Sequence, residues 1–204
     1  MTTALAAIPF DRAKILQAVA TISAETSPLL AYLRMDKFGE WSYGTEALEI
    51  PEDTLIAINP GGFAHGYVAW GEGEKLGEHM VSIYDPLPET GPVPGGCEHG
   101  WQAQHGMTLR VISGPANGTQ LAYYTSSHGG RKAVAGVLQA LGQRISADPN
   151  VREVVPVVKI SSTSYPHKKF GKIYTPVFKI TKWMNLPEDG APAGKTKAKS
   201  KAKK

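Results

Sequence analysis

The sequence points to a mainly β fold carrying one principal helix, and three observations lead there. Short runs rich in β-branched and aromatic residues recur between clusters of Gly, Pro and Asn along most of the chain. One long stretch, Arg131 to Ile145, switches to a helical period. Beyond it the chain returns to strand composition as far as Trp183.

Taken in order, Phe10 to Ser23 spaces Phe10, Ile15, Leu16, Val19 and Ile22 like a short amphipathic helix, ended by Ser27-Pro28. Residues 1–30 therefore read as an N-terminal arm. Trp41 to Ile50 is a broken strand pair around Gly44, and Thr54–Asn59 and Gly66–Trp70 are apolar strand runs separated by a Pro60-Gly61-Gly62 turn. Leu76 to Tyr84 is a further strand candidate, and Asp85 to Gly100, dense in Pro and Gly, reads as a surface loop. Trp101–Ile112 and Thr119–Thr125 form a hairpin across Ser113 to Gly118. In the long helix Val134, Val137, Leu138, Leu141 and Ile145 share one face. Val154–Ser162 and Lys172–Trp183 then close the domain as two strands flanking a loop from Thr163 to Gly171. Pro156 and Pro176 belong on a strand edge or a bulge, because neither can donate to a ladder.

Strands, one helix and a closing hairpin is the order of an OB fold, a five-stranded barrel with its helix between the third and fourth strands. The expected architecture is an OB-fold-like barrel over residues 31–185 with extra N-terminal strands. A β-sandwich with one helix is the alternative. From residue 186 to residue 204 no apolar side chain larger than Ala follows Leu186, and six lysines dominate, so a disordered cationic tail is expected.

Charge narrows the function. Residues 1–124 hold six Lys or Arg against fourteen Asp or Glu, whereas residues 125–183 hold ten against two. Such segregation suggests a polyanion partner for the later half. Cys97 is the only cysteine, which excludes an internal disulfide and fits a reducing cytoplasm. No run approaches the roughly 18 apolar residues of a membrane span, and the charge order at the N-terminus does not match an export signal.

The last hairpin carries the sharpest site signal. Within Ser164 to Tyr174 the rings Tyr165, Phe170 and Tyr174 alternate with His167, Lys168, Lys169 and Lys172. Single-stranded nucleic acid needs both kinds of group: ammonium groups along the phosphates and flat rings under unpaired bases. Competing with this, the rings could pack inward and the lysines merely solubilise a turn. A second candidate is Thr125 to Lys132, where hydroxyls, Gly129, Gly130, Arg131 and Lys132 surround a helix start, an arrangement suited to a phosphate. A plain N-cap by Ser126 or Ser127 explains the same residues. Cys97, His99 and His105 lack a fourth metal ligand. His128 beside Ser126 and Ser127 lacks the elbow of a serine hydrolase, and Glu40, Glu46, Glu49, Glu52 and Asp53 are scattered over strands and turns. No catalytic residue, cofactor or metal is expected. Of the tryptophans Trp41, Trp70, Trp101 and Trp183, an exposed one would be a stacking platform.

The runs Tyr32 to Gly44, Ala57-Ile58-Asn59-Pro60, His65 to Gly71 and Ser164 to Phe178 resemble a family of small conserved proteins of tailed bacteriophages, over roughly residues 30–183. The resemblance implies a phage origin, a place in the host cytoplasm, and kinship with phage OB-fold single-stranded DNA-binding proteins. Many of those end in an acidic tail that recruits partners; this chain ends in lysines. The resulting expectation is a non-enzymatic, largely sequence-independent binder of single-stranded DNA, acting in phage replication or recombination alongside the proteins of those processes. Lys168, Lys169, Lys172, Arg131 and Lys132 would meet phosphates, while Tyr165, Phe170 and Tyr174 would stack on bases. The first rival is a protein–protein module without nucleic-acid affinity; the second is a nuclease or other metal enzyme, which needs carboxylates such as Glu40, Glu46 and Asp53 to converge in a cleft.

Overall fold

The computed structural model describes residues 30–186. The expected helix at Phe10–Ser23 and the Lys-rich tail beyond Leu186 lie outside the described residues. From residue 31 the chain forms β1 (Ala31–Met35), β2 (Trp41–Tyr43), β3 (Leu48–Glu49), β4 (Ile56–Gly71), β5 (Glu74–Ser82), β6 (Gln102–Val111), β7 (Gln120–Thr125), the helix α1 (His128–Ala147), β8 (Val155–His167) and β9 (Gly171–Met184). The mainly β character with one helix is as expected. The strands make one mixed sheet in the order β3-β2-β1-β7-β6-β4-β8-β9, with β5 also on β4. Neighbours run antiparallel except β1 and β7, which pair in parallel at Ala31↔Leu121 and Tyr32↔Ala122. No helix among the described residues is long and apolar enough to cross a membrane.

Strand β4 organises the sheet because it changes partners halfway. Ile56 and Ala57 lie between β6 and β8. Ala64 to Val68 lie between β6 and β5. The change falls at Asn59-Pro60-Gly61-Gly62, where the register with β6 shifts. Pro60 has no N–H for a ladder bond, the Asn59 side-chain oxygen accepts from Gly61 N–H at 3.0 Å, and a Cβ at Gly62 would collide with Thr108. The expected turn between two strands is therefore a bulge that bends one continuous strand.

The concave face holds the core: Leu33, Ile56, Ile58, Phe63, Met107, Leu109, Leu121, Val158 and Ile160 are at most 3% exposed. Each such side chain contributes about 1.5–3 kcal/mol by leaving water. Helix α1 adds Val134, Val137 and Leu141 to it. The helix runs along β9, from Gly129 against Thr175 to the Arg144 guanidinium 4.9 Å over the Trp183 ring. It thereby covers the free edge that β9 would otherwise present. Pro176 sits on that edge strand and Pro156 beside the Val157/Val158 bulge, the two settings their missing N–H allows.

The sheet does not close. Strands β3 and β9 end the order without pairing to each other among the described residues. In place of a ladder, the buried Trp41 indole N–H donates to the Ser161 carbonyl at 3.1 Å. Its ring meets Phe178 at 5.6 Å and Tyr123 at 5.7 Å. The OB-fold-like barrel expected from strand order is thus not confirmed: the sheet stays open at a seam, bridged by side chains. Two smaller differences accompany it. Strand β1 adds to the expected strands, and most of the loop expected at Thr163–Gly171 is strand, leaving only Lys168-Lys169-Phe170 as the turn.

Candidate nucleic-acid interface

Strands β8 and β9 pair from Val155↔Met184 to His167↔Gly171 with one bulge at Val157/Val158, so the hairpin is a long ribbon. Between Val154 and Leu186 it carries Lys159, Lys168, Lys169, Lys172, Lys179 and Lys182 and no acidic residue. Phe178 and Ile180 face the core, so the alternation of strand side chains turns Lys179 outward. Lys159 lies directly opposite Lys179 in the ladder. Like charges in that position repel unless an anion lies between them.

At the tip, His167 Nδ1 accepts from the backbone N–H groups of Lys169 and Phe170, each at 3.2 Å. The imidazole stacks on Phe170 with centroids 4.9 Å apart and planes inclined by 24°, and Lys169 Nζ lies 5.3 Å from that ring. Phe170 remains 66% exposed. The tip therefore brings His167, Lys168, Lys169 and Phe170 together. It does not gather all three expected stacking rings on one side. Tyr165 pairs with Ile173, whereas Tyr174 pairs with Ser164, which places the two tyrosines on opposite faces. Tyr165 is exposed. Tyr174 is half-buried against the Asp36–Gly39 turn, where a Cβ at Gly39 would meet its ring, and Lys172 Nζ covers it at 4.8 Å. The expectation of one groove lined by Tyr165, Phe170 and Tyr174 is corrected accordingly.

Arg131 closes the first turn of α1 and Lys132 opens the second. Ser127 is the N-cap, its Oγ accepting from Gly130 N–H at 3.1 Å and lying 3.0 Å from Thr125 Oγ1. Gly129 and Gly130 are committed to packing: a Cβ would strike Thr175 at the first and Thr125 at the second. Lys132 is exposed. Arg131 is half-buried, and its Nε is enclosed with no hydrogen-bond partner among the described residues.

The acidic and metal-ligating residues are dispersed. Cys97 Sγ donates to Gly100 O, His105 Nδ1 bonds the Arg131 carbonyl at 3.3 Å, and no group of three or more His, Cys, Asp or Glu gathers at metal distance among the described residues. Glu40, Glu49 and Glu52 do border a cleft of ≈ 280 Å³ at the seam, beside Trp41.

A second feature has no counterpart in the sequence reading. Two adjoining cavities of ≈ 590 and ≈ 380 Å³ share Leu33, Arg34, Trp70, Gln104 and Tyr124 and form one groove over β1, β7, β6 and the β4–β5 turn. Its far end reaches Ser126, Ser127 and Pro176, at the start of α1 and the side of β9. Trp70, 38% exposed, is the tryptophan the surface offers to a ligand; Trp41 is buried, Trp101 donates to Gly91 O, and Trp183 lies under Arg144. The Tyr124 ring lies across Gly106, where any Cβ would collide with it, and 6.0 Å from Tyr32. Gln104, 4% exposed, donates through Nε2 to Glu78 Oε1 at 3.1 Å, and Glu78 Oε2 accepts from Lys75 at 2.8 Å. That bond to Glu78 raises the Lys75 pKa, against a smaller lowering by burial. Burial, with the neighbouring Tyr32 and Glu78, raises that of Tyr124, and burial pushes the Tyr123 hydroxyl up to about 12. In this groove only Trp70 and the Thr125–Ser127 segment had a signal in the sequence; Tyr32, Arg34, Lys75, Glu78, Gln104 and Tyr124 lie on separated strands. No protein-family model, no curated protein and no solved structure matches the chain.

Proposed function

We propose that this protein is a non-enzymatic, largely sequence-independent binder of single-stranded DNA, with the β8–β9 ribbon as its phosphate-facing surface. One observation carries the reading: the ribbon holds six lysines without a single acidic neighbour in its own strands, two of them directly opposed across the ladder. A polyanion relieves that repulsion and releases its own counterions. At the tip Phe170 offers an exposed ring beside Lys168 and Lys169, so a base stacks where the adjacent phosphates find cations. The OB-like part of the expectation belongs with this proposal: a helix before a binding hairpin is the OB arrangement, although the sheet stays open at the Trp41 seam. The resemblance to tailed-phage proteins sets the context as phage replication or recombination in the host cytoplasm.

The test is a titration of the protein with a single-stranded oligonucleotide at several salt concentrations, with a duplex as control. Affinity for the single strand is expected to fall steeply with salt. Lys168→Ala with Lys169→Ala removes two contacts and flattens the log–log slope by about 1.4, at roughly 0.7 per phosphate contact. An unchanged slope in the double variant removes the tip from the interface, and no affinity in the parent protein ends the proposal.

A second reading, capture of another protein, draws on Tyr84, Leu87 and Val93, which stand 53–75% exposed along one Pro-rich loop. It expects substitution of those three side chains to abolish partner binding and to leave the salt titration unchanged.

A further inference from the structure

We propose that the groove over β1, β7 and β6 is a binding site for a single unstacked nucleobase, one carrying an exocyclic amino group. The Gln104 side chain is almost wholly buried, and its Oε1 has no hydrogen-bond partner among the described residues. The amide cannot be turned round to relieve this, because Nε2 is needed to donate to the Glu78 carboxylate. Glu78 is itself held by Lys75. Gln104 lines both cavities, so its fixed, enclosed carbonyl lies in the groove wall without a partner, and leaving such a group unpaired is unfavourable. The ligand must bring an N–H or O–H donor to it.

The walls say what carries the donor. Trp70, Tyr32 and Tyr124 border the groove, which favours a flat ring. Arg34, exposed on β1, stands at the rim of both cavities, which favours an anion attached to that ring. The ≈ 590 Å³ of the larger cavity lies within the roughly 300–1,000 Å³ usual for small-ligand sites. A ring bearing an amino group and a phosphate is a nucleotide of adenine, cytosine or guanine. Thymine, whose ring N–H sits between two carbonyls, brings oxygens toward Gln104 Oε1 and Glu78 and is the disfavoured base. The groove's far end reaches Pro176 on β9, within the ribbon's own strand. The choice of a nucleotide leans on the proposed single-strand binding; the site itself does not.

The experiment uses mononucleotides, which are too short to span the lysines spaced along the ribbon. The full chain is titrated with dAMP and with dTMP, following tryptophan emission and the NMR resonances of the Gln104 side-chain amide. Expected are a preference of about tenfold or more for dAMP, a shift of the Gln104 amide, and a loss of about tenfold in dAMP affinity in Trp70→Leu. Lys168→Ala with Lys169→Ala leaves dAMP binding unchanged. Gln104→Leu equalises the two nucleotides; should that variant fail to fold, the Gln104 shift in the parent protein decides. Equal affinity for dAMP and dTMP, a silent Gln104 amide, or dAMP binding indifferent to Trp70→Leu overturns the proposal. Oligonucleotide binding with those negative results keeps the ribbon and rejects the groove, and dAMP binding without oligonucleotide binding does the reverse.

Discussion

Gly106 has no side chain, and the space beside it belongs to Tyr124. A Cβ there would overlap the tyrosine ring, and the ring cannot yield sideways without giving up its place next to Tyr32. Gly106→Ala is therefore expected to destabilise the fold by about 1–3 kcal/mol, the usual cost of overpacking, read as a lower midpoint in urea. It also lifts Tyr124 from the groove, so dAMP affinity falls with stability. Tyr124→Ala in the same background restores most of the midpoint if the collision is the cause. Trp41 is the corresponding residue at the seam. Trp41→Phe keeps a ring near Tyr123 and Phe178 but leaves the Ser161 carbonyl without its indole partner. Loss of that bond and of volume costs about 1–3 kcal/mol, visible as a fall in Tm. An unaltered Tm means that the seam needs no bridge.

Among the elements, α1 and the ribbon show opposite sides of what a sequence can say. The helix announces itself because Val134, Val137 and Leu141 repeat at its period and all three are buried. Its start moves only from Arg131 to His128, because Ser127 caps it there. The ribbon's outer half is silent for a physical reason: from Thr163 to Pro166 every side chain is exposed, so no buried face imprints an alternation and only the backbone ladder makes it a strand. Strand β1 is hidden differently, since one of its partners, β7, lies some ninety residues away and runs parallel. Pro60-Gly61-Gly62 has turn chemistry that the protein uses for a bulge. Of the candidate site, the lysines and Phe170 of the tip were readable as a local motif. The groove was not, because Tyr32, Gln104 and Tyr124 meet only after folding. The tip makes its own prediction. His167 holds the turn by accepting two backbone N–H groups, so His167→Ala should speed amide exchange at Lys169 and Phe170 and leave global stability within about 0.5 kcal/mol. Protected amides in that variant show that the ladder alone fixes the turn.

Across the described residues as a whole, the resolved titration shifts lie on the alkaline side. The described groups with resolved shifts are Lys75, Tyr123 and Tyr124, and all three are shifted upward. The sign follows from linkage: a group whose folded pKa exceeds its unfolded value binds more protons when folded, so stability falls as pH rises between the two values. Tyr123 defines the window, from about 10 in the unfolded chain to about 12 in the folded one. Below the lower limit its contribution is complete; above the upper limit it is gone. Lys75 adds in the same sense, because its bond to Glu78 holds the proton. The urea midpoint should hold steady as pH approaches 10 from neutrality and then decline. Tyr123→Phe removes the phenol and keeps the ring that packs on Trp41 and Phe178, so it should flatten the decline by about one proton's worth of slope. A decline of the same steepness in that variant would show that Tyr123 ionises as freely in the folded protein as in the unfolded chain, and that the burial of its hydroxyl beneath the helix and sheet has no energetic consequence.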